Sequence, residues 1–378
     1  MRKTKYNILF LEYFPFLGGG QQITLKIAQY LKSFYNVRFI CFNNGLITKE
    51  LQKRKIVYDI MTAPRQAKLR YLWDSVPFYF KFKNFLQRNN IKLIYCNSYF
   101  TAKLATFVSR DLHIPVIWHK HVIIQHRKNS YLASQIRKVS KYVNKIICVS
   151  NAVKESLIRI GVSDEKLCVV YNGINLSVKK IIKKDFKKKY KLNDSFVFGS
   201  IGFFRREKGF DLLIKAAAIV KKKEKKIKFF IVGKADTDNQ YEKELKMLTK
   251  ESDLENTVIF GGYIDWFSCV GAFDVLIVPS LTEGFCLVIV EAGIYGVPSI
   301  AFATGGIPEI IEDGVNGFLV KKITPEALAE KIIDVYNKRK QLRVVGKHMK
   351  ETVRKKFNEK IMQKNILNIV KEVLYAQK

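Results

Sequence analysis

Two carboxylates bracket an apolar run in the stretch TEGFCLVIVEAG, which occupies residues 282–293. Glu283 stands immediately before a glycine, and Glu291 stands immediately before the small residues Ala and Gly. A carboxylate is costly to bury unless hydrogen-bond donors meet it. The pattern therefore indicates either two carboxylates at the surface or a site where a binding partner reaches both.

A glycine-rich turn lies near the start of the chain, where FPFLGGGQQITLKIAQYL passes from a strand-like run into a helical pattern. Gly19 and Gly20 would let a ligand approach the backbone closely, and the free N–H groups of a helix start favour a phosphate. The spacing is not G-x-G-x-x-G, and no G-K-[ST] follows, so a nicotinamide cofactor and an NTPase loop are both poorly supported. A plain tight turn is the alternative.

A second strand–loop–helix segment, IGFFRREKGFDLL at residues 201–213, carries three cations. Arg205, Arg206 and Lys208 lie in the loop, where their charges could meet a bound anion. For each of them the alternative is a solvated side chain on a basic loop.

A parallel sheet covered on both faces is predicted for each half of the chain, because short apolar runs without polar alternation are separated by helical patterns. The Lys-rich residues 177–191 are interpreted as a connector, and residues 357–376 as one or more polar helices. Ligands of such sheets bind beyond the carboxyl ends of the strands. The runs are NILFLEYF, VRFICF, LIYCNS, VIWHKH, KIICVS and LCVVYN before the connector, and FVFGSIG, IKFFIVG, TVIFGG, DVLIVPS and PSIAFA after it.

The composition is that of a globular protein, since 48% of the 378 residues are hydrophobic, enough for two domains. The formal net charge of +34 favours anionic partners such as nucleic acid, phosphates or an acidic membrane surface. The alternative is a lysine-rich coding bias in which most Lys side chains are simply solvated.

The six cysteines form no C-x-x-C pair, and most lie in apolar runs. This predicts buried thiols in a reducing compartment and argues against a zinc site. The basic, apolar N-terminus resembles a signal peptide, but Glu12 and Pro15 interrupt it, so a first core strand is the better interpretation. No stretch reaches the roughly 18 uncharged apolar residues of a membrane span. We therefore expect a cytoplasmic protein whose membrane contact, if any, is peripheral on the inner face of the cell membrane.

Taken together, the motifs resemble glycosyltransferase family 4, which comprises retaining, nucleotide-sugar-dependent enzymes of the GT-B fold. The resemblance is carried by E-G-F-x-L-x-x-x-E, G-V-P-S-I and T-G-G-I-P-E-I-I-E-D-G-x-N-G-F-L-V within residues 283–320. It continues in K-G-F-D-L-L-I-K-A, V-S-N-A-V-K, Y-N-G-I-N and the glycine turn near residues 18–20. The match covers nearly the whole chain and is looser in the N-terminal half.

The family implies an α/β protein of the GT-B type, with two Rossmann-like doubly wound domains facing each other across a cleft. Residues 1–172 would form the acceptor-side domain, 173–191 a basic linker and 192–356 the nucleotide-sugar-binding domain. A C-terminal helix within residues 357–378 would pack back on the N-terminal domain. The donor would be a UDP- or GDP-sugar, and the resemblance implies no further cofactor and no metal.

The resemblance also gives the two carboxylates a role. Glu283 would hold sugar hydroxyls and Glu291 the ribose, so that ligand hydroxyl groups meet both. The apolar run between them would be a buried helix, although propensity alone favours a strand. The other residues that the family pattern assigns to the donor are Gly19, Gly20, Gly202, Gly233, Ile264 and the backbone of Gly284, Phe285, Cys286 and Leu287.

The remaining catalytic assignments by resemblance are Lys208, Arg205 and His121. His121 ends the strand IPVIWHKH and would lie near the transferred sugar, with His119 as the alternative on the same side of the strand. The family usually has Arg where this chain has Phe203, which cannot neutralise a diphosphate. One explanation is that Arg205 or Arg206 supplies the missing charge, and we favour Arg205 because it projects to the same side as Phe203. The other is that the leaving-group site is weakened and the protein is slow or inactive.

Asp236 and Asp238 form a D-x-D pair. In glycosyltransferases of the other major fold such a pair holds a metal–diphosphate complex, but here we interpret it as a surface loop. The segment at residues 65–88 interleaves basic and aromatic residues. It is either a core helix with a basic outer face or a patch for a membrane surface or lipid acceptor.

The expected function is transfer of a hexose-type sugar, with retention, to a glycan or lipid-linked acceptor in surface polysaccharide or glycolipid synthesis. By the same resemblance, the acceptor would attack from the leaving-group face while a donor phosphate oxygen takes its proton. One alternative is a sugar-nucleotide epimerase or phosphorylase on the same fold. A non-catalytic protein that binds membranes or nucleic acid would leave the Glu pair and the glycine loops unexplained, so nucleic acid is not an expected partner.

Overall fold

The computed structural model describes residues 5–64, 68–125, 128–177, 183–192, 194–235, 239–264 and 269–376. These residues form two compact units. Unit 1 contains the described residues up to Gly173 together with those from Lys360 onward, and unit 2 runs from Ile174 to Glu359.

Unit 1 is built on a sheet of seven parallel strands in the order β3-β2-β1-β4-β5-β6-β7. Most residues of its strands are buried, and β5 is buried along its whole length, as expected when helices cover both faces of a sheet. The strands are β1 (Asn7–Glu12), β2 (Asn36–Cys41), β3 (Val57–Ile60), β4 (Ile91–Cys96), β5 (Val116–Lys120), β6 (Lys145–Cys148) and β7 (Leu167–Val169). The helices between them are α1 (Gly19–Leu31), α2 (Leu46–Lys53), α3 (Lys68–Arg88), α4 (Tyr99–Leu112), α5 (Tyr131–Lys141) and α6 (Asn151–Arg159).

Unit 2 is built on six parallel strands in the order β10-β9-β8-β11-β12-β13. Its strands are β8 (Phe196–Ile201), β9 (Ile227–Val232), β10 (Val258–Gly262), β11 (Val275–Val278), β12 (Ser299–Phe302) and β13 (Phe318–Val320). Its helices are α7 (Lys183–Lys189), α8 (Phe210–Lys223), α9 (Gln240–Glu251), α10 (Leu287–Ile294), α11 (Pro325–Asn337) and α12 (Leu342–Lys356). The last helix of the chain, α13 (Glu359–Tyr375), belongs to unit 1 from Lys360 onward.

The alternation of strands and helices predicted from the sequence is confirmed, and so is the first core strand, which is β1. Two strands were missed. β3 is an edge strand whose Val57 and Ile60 are exposed, so it lacks the buried apolar run that marks the others. β13 is only three residues long and follows a loop of turn residues.

Two segments expected to be mainly polar are partly buried. The Lys-rich connector contains α7, in which Phe186 is buried and its ring lies 5.1 Å from that of Phe230. The C-terminal helix α13 is amphipathic, because Met362, Ile366 and Val370 are buried along one side. A single apolar residue in α7, and several at helical spacing in α13, decide the packing even though charged residues are frequent in both.

The run CLVIV is a helix from Leu287 onward, as the family resemblance implied and β-propensity did not. Its buried face packs against α12 through glycines. A Cβ on Gly293 would lie 2.7 Å from the Val353 side chain, and a Cβ on Gly346 would lie 1.9 Å from the carbonyl oxygen of Gly296. Only residues without a side chain allow α10 and α12 to approach this closely.

The basic and aromatic segment at residues 65–88 forms α3 from Lys68 onward, while residues 65–67 lie outside the described residues. Phe78 and Phe82 are buried, whereas Val76 and Phe80 are 58% and 59% exposed. One side of α3 therefore belongs to the core, and its other side presents apolar residues to the surface.

Candidate functional site

Each sheet has one point at which the strand order reverses, and several of the residues singled out in the sequence follow the strands that flank it. In unit 1 the reversal falls between β1 and β4, and in unit 2 between β8 and β11. Loops leave the carboxyl ends of such strands in opposite directions and open a crevice in which ligands of doubly wound sheets bind. In unit 1 the glycine turn follows β1, and in unit 2 the basic loop follows β8 and Glu283 follows β11.

The basic loop of unit 2 is held in place by backbone contacts. A short 3-10 turn, Arg206–Lys208, leads into α8 through Gly209, whose φ is +65°. A Cβ at Gly209 would lie 2.0 Å from the carbonyl oxygen of Pro279, so this turn requires glycine. The N–H of Leu281 donates to the carbonyl oxygen of Glu207 at 2.8 Å, which joins the loops that follow β8 and β11.

Lys208 and Glu283, both predicted catalytic residues, form an ion pair. The Lys208 ammonium Nζ lies 2.6 Å from Glu283 Oε1, and the Ser280 hydroxyl donates to the same oxygen at 3.0 Å. Burial by itself would lower the pKa of Lys208, but the adjacent Glu283 carboxylate, together with Cys286 and Glu207, outweighs this effect, so the pKa is raised. Lys208 is thus a permanent cation beside a carboxylate that can still accept hydrogen bonds on its other oxygen.

The helix that follows Glu283 begins in an unusual conformation. Cys286 stands at the N-cap of α10 with φ +65° and ψ +74°, a left-handed conformation that residues other than glycine rarely adopt. Burial raises the pKa of its thiol, so the group stays neutral. The loop from Gly284 ends at this turn, and α10 begins at Leu287. The free backbone N–H groups at the start of the helix favour an anion or a polar ligand there.

Glu291 lies one turn into α10 and is only 6% exposed. The side chains around it on this helix are apolar and buried, Ile289, Val290 and Ala292 among them. Glu291 is the fifth of the eight residues of α10, and Glu283 lies in the loop that precedes this helix. The assignment of both carboxylates to a donor stays a prediction.

Three further predicted donor residues follow neighbouring strands of unit 2. Gly202 follows β8 and Gly233 follows β9, and a Cβ on Gly233 would lie 2.2 Å from the carbonyl oxygen of Gly202. The N–H of Gly233 donates to the carbonyl oxygen of Gly262 at 3.0 Å. Ile264 follows β10 and lies beside Gly261. All three residues lie at the carboxyl edge of the sheet, and none of them carries a charge.

The two arginines of the basic loop point in different directions. The guanidinium of Arg205 lies over the ring of Phe203, with 5.7 Å between Cζ and the ring centroid, and it pairs with Glu207 at 3.7 Å. Arg206 instead donates to both carboxylate oxygens of Glu244, at 2.7 and 2.9 Å. Of the two, only Arg205 lies on the same side as the phenylalanine that replaces the family's arginine.

In unit 1, His121 lies directly against the glycine turn. A Cβ on Gly20 would come within 3.2 Å of the imidazole ring, so glycine leaves room for it. Burial lowers the pKa of His121 to about 3, with Lys120 as a second cause, and the ring is neutral at physiological pH. His119 is fully buried, with its Nδ1 2.8 Å from the Tyr95 hydroxyl, and its ring centroid lies 4.2 Å from that of His121.

A polar cluster that the sequence analysis missed supports His121. Asn97 Oδ1 lies 2.7 Å from His121 Nε2 and 2.7 Å from the Thr24 hydroxyl, and Asn97 Nδ2 donates to Glu12 Oε2 at 2.6 Å. Burial raises the pKa of Glu12, although hydrogen bonds from Asn97, Phe14 and Gln21 oppose the shift. The sequence did contain a sign of this cluster. Glu12 and Asn97 each follow an apolar strand-like run, and packing of the strand does not require a polar residue there.

The D-x-D pair of Asp236 and Asp238 lies outside the described residues, so its interpretation as a surface loop stays a prediction. The described part of the chain has no helix that is long and apolar enough to span a membrane. Chemically, unit 2 offers a cation, a carboxylate and a helix start at one crevice. Unit 1 offers a neutral histidine beside a glycine turn.

Comparison with known proteins finds a family match for each half of the chain. The family described as Glycosyl transferases group 1 matches residues 182–352, and the family described as Glycosyltransferase Family 4 matches residues 17–178. An uncharacterized glycosyltransferase of Methanocaldococcus jannaschii is 27% identical over 91% of this chain and 92% of its own length. A UDP-Gal:alpha-D-GlcNAc-diphosphoundecaprenol alpha-1,3-galactosyltransferase of Escherichia coli is 24% identical over 94% of each chain.

Among solved structures, HepE of Anabaena in complex with UDP-glucose superimposes with a TM-score of 0.85. It is 23% identical, and the match covers 97% of this chain and 99% of that one. Identity this low shows the fold alone. The fold is therefore GT-B, with two Rossmann-like domains, as the sequence predicted.

Proposed function

The chain belongs to the group 1 glycosyltransferases, and we propose that it is a retaining enzyme that transfers a hexose-type sugar from a nucleoside diphosphate. The observation that carries this proposal is the Lys208–Glu283 ion pair at the strand-order reversal of unit 2, beside the start of α10. Related chains act in polysaccharide and lipid-linked glycan synthesis, which supports a glycan or lipid-linked acceptor.

The residues of unit 2 are assigned to the donor. Lys208 and Arg205 stabilise the diphosphate as it leaves, together with the first N–H groups of α10. Glu283 accepts hydrogen bonds from sugar hydroxyls on the carboxylate oxygen that does not contact Lys208. Glu291 accepts hydrogen bonds from the ribose. Gly202, Gly233 and Ile264, at the carboxyl ends of β8, β9 and β10, are also assigned to donor binding.

In unit 1 we assign His121 a contact with the transferred sugar, and Gly19 and Gly20 a backbone contact with the donor. The described residues offer no carboxylate that the sequence or the structure marks as a nucleophile. The proposed course is therefore attack by the acceptor from the leaving-group face, with the acceptor proton passing to a donor phosphate oxygen. The bond from the anomeric carbon to the phosphate oxygen breaks as the new glycosidic bond forms.

A thermal-shift panel of UDP- and GDP-sugars tests this function. A donor that binds only the folded protein raises the unfolding midpoint by mass action, and the shift grows with ligand concentration. The sugar nucleotide that gives the largest shift is then incubated with glycan and lipid-linked acceptors, and release of the nucleoside diphosphate is measured. The anomeric configuration of the product reports retention or inversion.

Other results of the panel support other functions. Conversion of the sugar nucleotide without an acceptor would indicate an epimerase, and turnover that depends on inorganic phosphate would indicate a phosphorylase. No shift with any sugar nucleotide would contradict the proposal.

We also propose that the enzyme works at the cytoplasmic face of a membrane. The support is the formal charge of +34 and the exposed apolar side of α3, where Val76 and Phe80 stand one helical turn apart. Phe107 of α4 is also exposed, and its neighbour Tyr79 of α3 lies with its ring centroid 5.6 Å away. Apolar side chains next to basic ones suit the headgroup region of an anionic bilayer.

A further inference from the structure

Four polar side chains meet below the glycine turn of unit 1, each from a different element. Glu12 ends β1, Thr24 lies in α1, Asn97 follows β4 and His121 follows β5. The first three are almost fully buried. Buried polar groups are retained only where hydrogen bonds satisfy them, and here the bonds form one connected chain.

The orientation of the Asn97 amide is set by Glu12. Its Nδ2 donates to Glu12 Oε2 at 2.6 Å, while the other carboxylate oxygen accepts from the N–H of Phe14 at 3.1 Å and from Gln21 at 3.4 Å. When Glu12 is ionised, a reversed amide would place its oxygen against a carboxylate oxygen, and two acceptors repel. Asn97 Oδ1 therefore faces Thr24 and His121, at 2.7 Å from each.

This orientation decides which nitrogen of His121 carries the proton. An amide oxygen can only accept, so Nε2 must be the N–H donor of the 2.7 Å contact. Because the ring is neutral, Nδ1 then has a lone pair and no hydrogen. Within the described residues no hydrogen-bond partner of Nδ1 is found. A Cβ on Gly20 would lie 3.6 Å from this atom, so glycine at that position keeps it uncovered.

We propose that Glu12 and Asn97 are positioning residues that hold His121 as its Nε2–H tautomer and thereby present Nδ1 as an acceptor for a substrate hydroxyl group. The role of the hydroxyl rests on the proposed transferase function, whereas the tautomer does not. It follows that His121 receives a hydrogen bond from the substrate and does not donate one. Thr24 shares the amide oxygen but does not determine the tautomer.

The tautomer is measured by ¹⁵N NMR of protein labelled at histidine, at pH 7 and without ligand. The His121 signals are identified by their loss in His121→Gln. We expect a protonated Nε2 and an unprotonated Nδ1 in the wild type. A wild-type His121 that is protonated on Nδ1 overturns the proposal, and this result requires no variant to fold.

Three variants test the dependence on Glu12 and Asn97. Asn97→Leu and Glu12→Leu should each give a mixture of tautomers, because the acceptor at Nε2 is lost or becomes free to turn. Glu12→Gln retains an oxygen that can accept from Asn97 and should restore the Nε2–H form. The matched control, Thr24→Val, removes the other donor to Asn97 Oδ1 and should leave His121 unchanged. Tautomers that do not respond to Glu12→Leu would exclude a role for Glu12.

Transfer kinetics test the second half of the proposal, with the donor found in the thermal-shift panel. Asn97→Leu and Glu12→Leu should lower kcat/KM about tenfold, as for loss of one hydrogen bond, and Glu12→Gln should recover most of it. A changed tautomer with unchanged kcat/KM would overturn the contact with a hydroxyl group. Complete lack of transfer in the wild type would instead contradict the proposed function, and the NMR result would still decide the tautomer.

Discussion

Glu291 is a carboxylate held 6% exposed on an otherwise apolar helix, so its replacement tests the donor site most directly. Glu291→Ala should remove a charge-assisted hydrogen bond to the ribose, worth about 1.5–3 kcal/mol, and raise the donor KM roughly 10- to 100-fold. The measurement is initial-rate kinetics at saturating acceptor. Glu326→Ala, at an exposed position of α11, serves as the control. A folded Glu291→Ala enzyme with the wild-type donor KM would remove the ribose assignment.

Arg205 and Arg206 are adjacent in the chain, and their side chains are committed differently. Arg205 lies over Phe203, whereas Arg206 is bound to Glu244. If Arg205 supplies the charge that Phe203 cannot, Arg205→Ala should lower kcat by about 10²–10³, as for loss of one preorganised charge-stabilising group. Arg206→Ala should change kcat little. Small and equal effects would show that the leaving group is stabilised from elsewhere.

At the scale of elements, the position of α10 depends on its contact with α12. Gly346 of α12 packs against the backbone of Gly296, and a Cβ there would come within 1.9 Å of a carbonyl oxygen. Gly346→Ala should therefore push the two helices apart and lower the free energy of unfolding by about 1–3 kcal/mol. Chemical denaturation measures the change. Val344→Ala is the control on the same helix, since Val344 is 56% exposed and its truncation should cost under about 0.5 kcal/mol.

The consequence of the same substitution for the donor site follows from what α10 carries. Glu291 lies in this helix and Glu283 in the loop before it, so a displaced α10 should raise the donor KM as well as lower stability. Loss of stability with an unchanged KM would show that the loop and the start of α10 are held independently of α12.

For the whole molecule, the charge of +34 and the exposed side of α3 lead to a test of membrane binding. The wild type should float with anionic vesicles and not with neutral ones, since each basic residue near an anionic surface adds about 1 kcal/mol. Phe80→Ser should weaken the binding. Phe34→Ser, which alters a 42% exposed ring after α1, is the matched control. Equal binding to both kinds of vesicle, or to neither, would exclude an electrostatic surface.

The enzyme as a whole should not require a divalent metal. If Lys208 and Arg205 neutralise the diphosphate, as proposed, transfer should survive an excess of EDTA. The assay compares initial rates with and without the chelator. Complete loss of activity that manganese restores would instead make Asp236 and Asp238 candidate ligands.

The sequence by itself determined the elements and the chemical types at their ends. Buried parallel strands contain unbroken apolar runs, and glycines and carboxylates differ clearly from such runs. The positions of β1 and of the glycine turn after it could therefore be predicted from the local sequence. The helix α10 needed more than local propensity, because β-branched residues favour a strand until packing against α12 decides otherwise.

Only the tertiary structure decided which of these residues meet. Lys208 and Glu283 are 75 positions apart, and Glu12 and Asn97 are 85 apart. They come together because β8 neighbours β11 and β1 neighbours β4, an order of strands that no local pattern encodes. Phe78 and Phe80 of α3 differ for the same kind of reason, since only the position of the sheet makes one side of the helix a core and leaves the other at the surface.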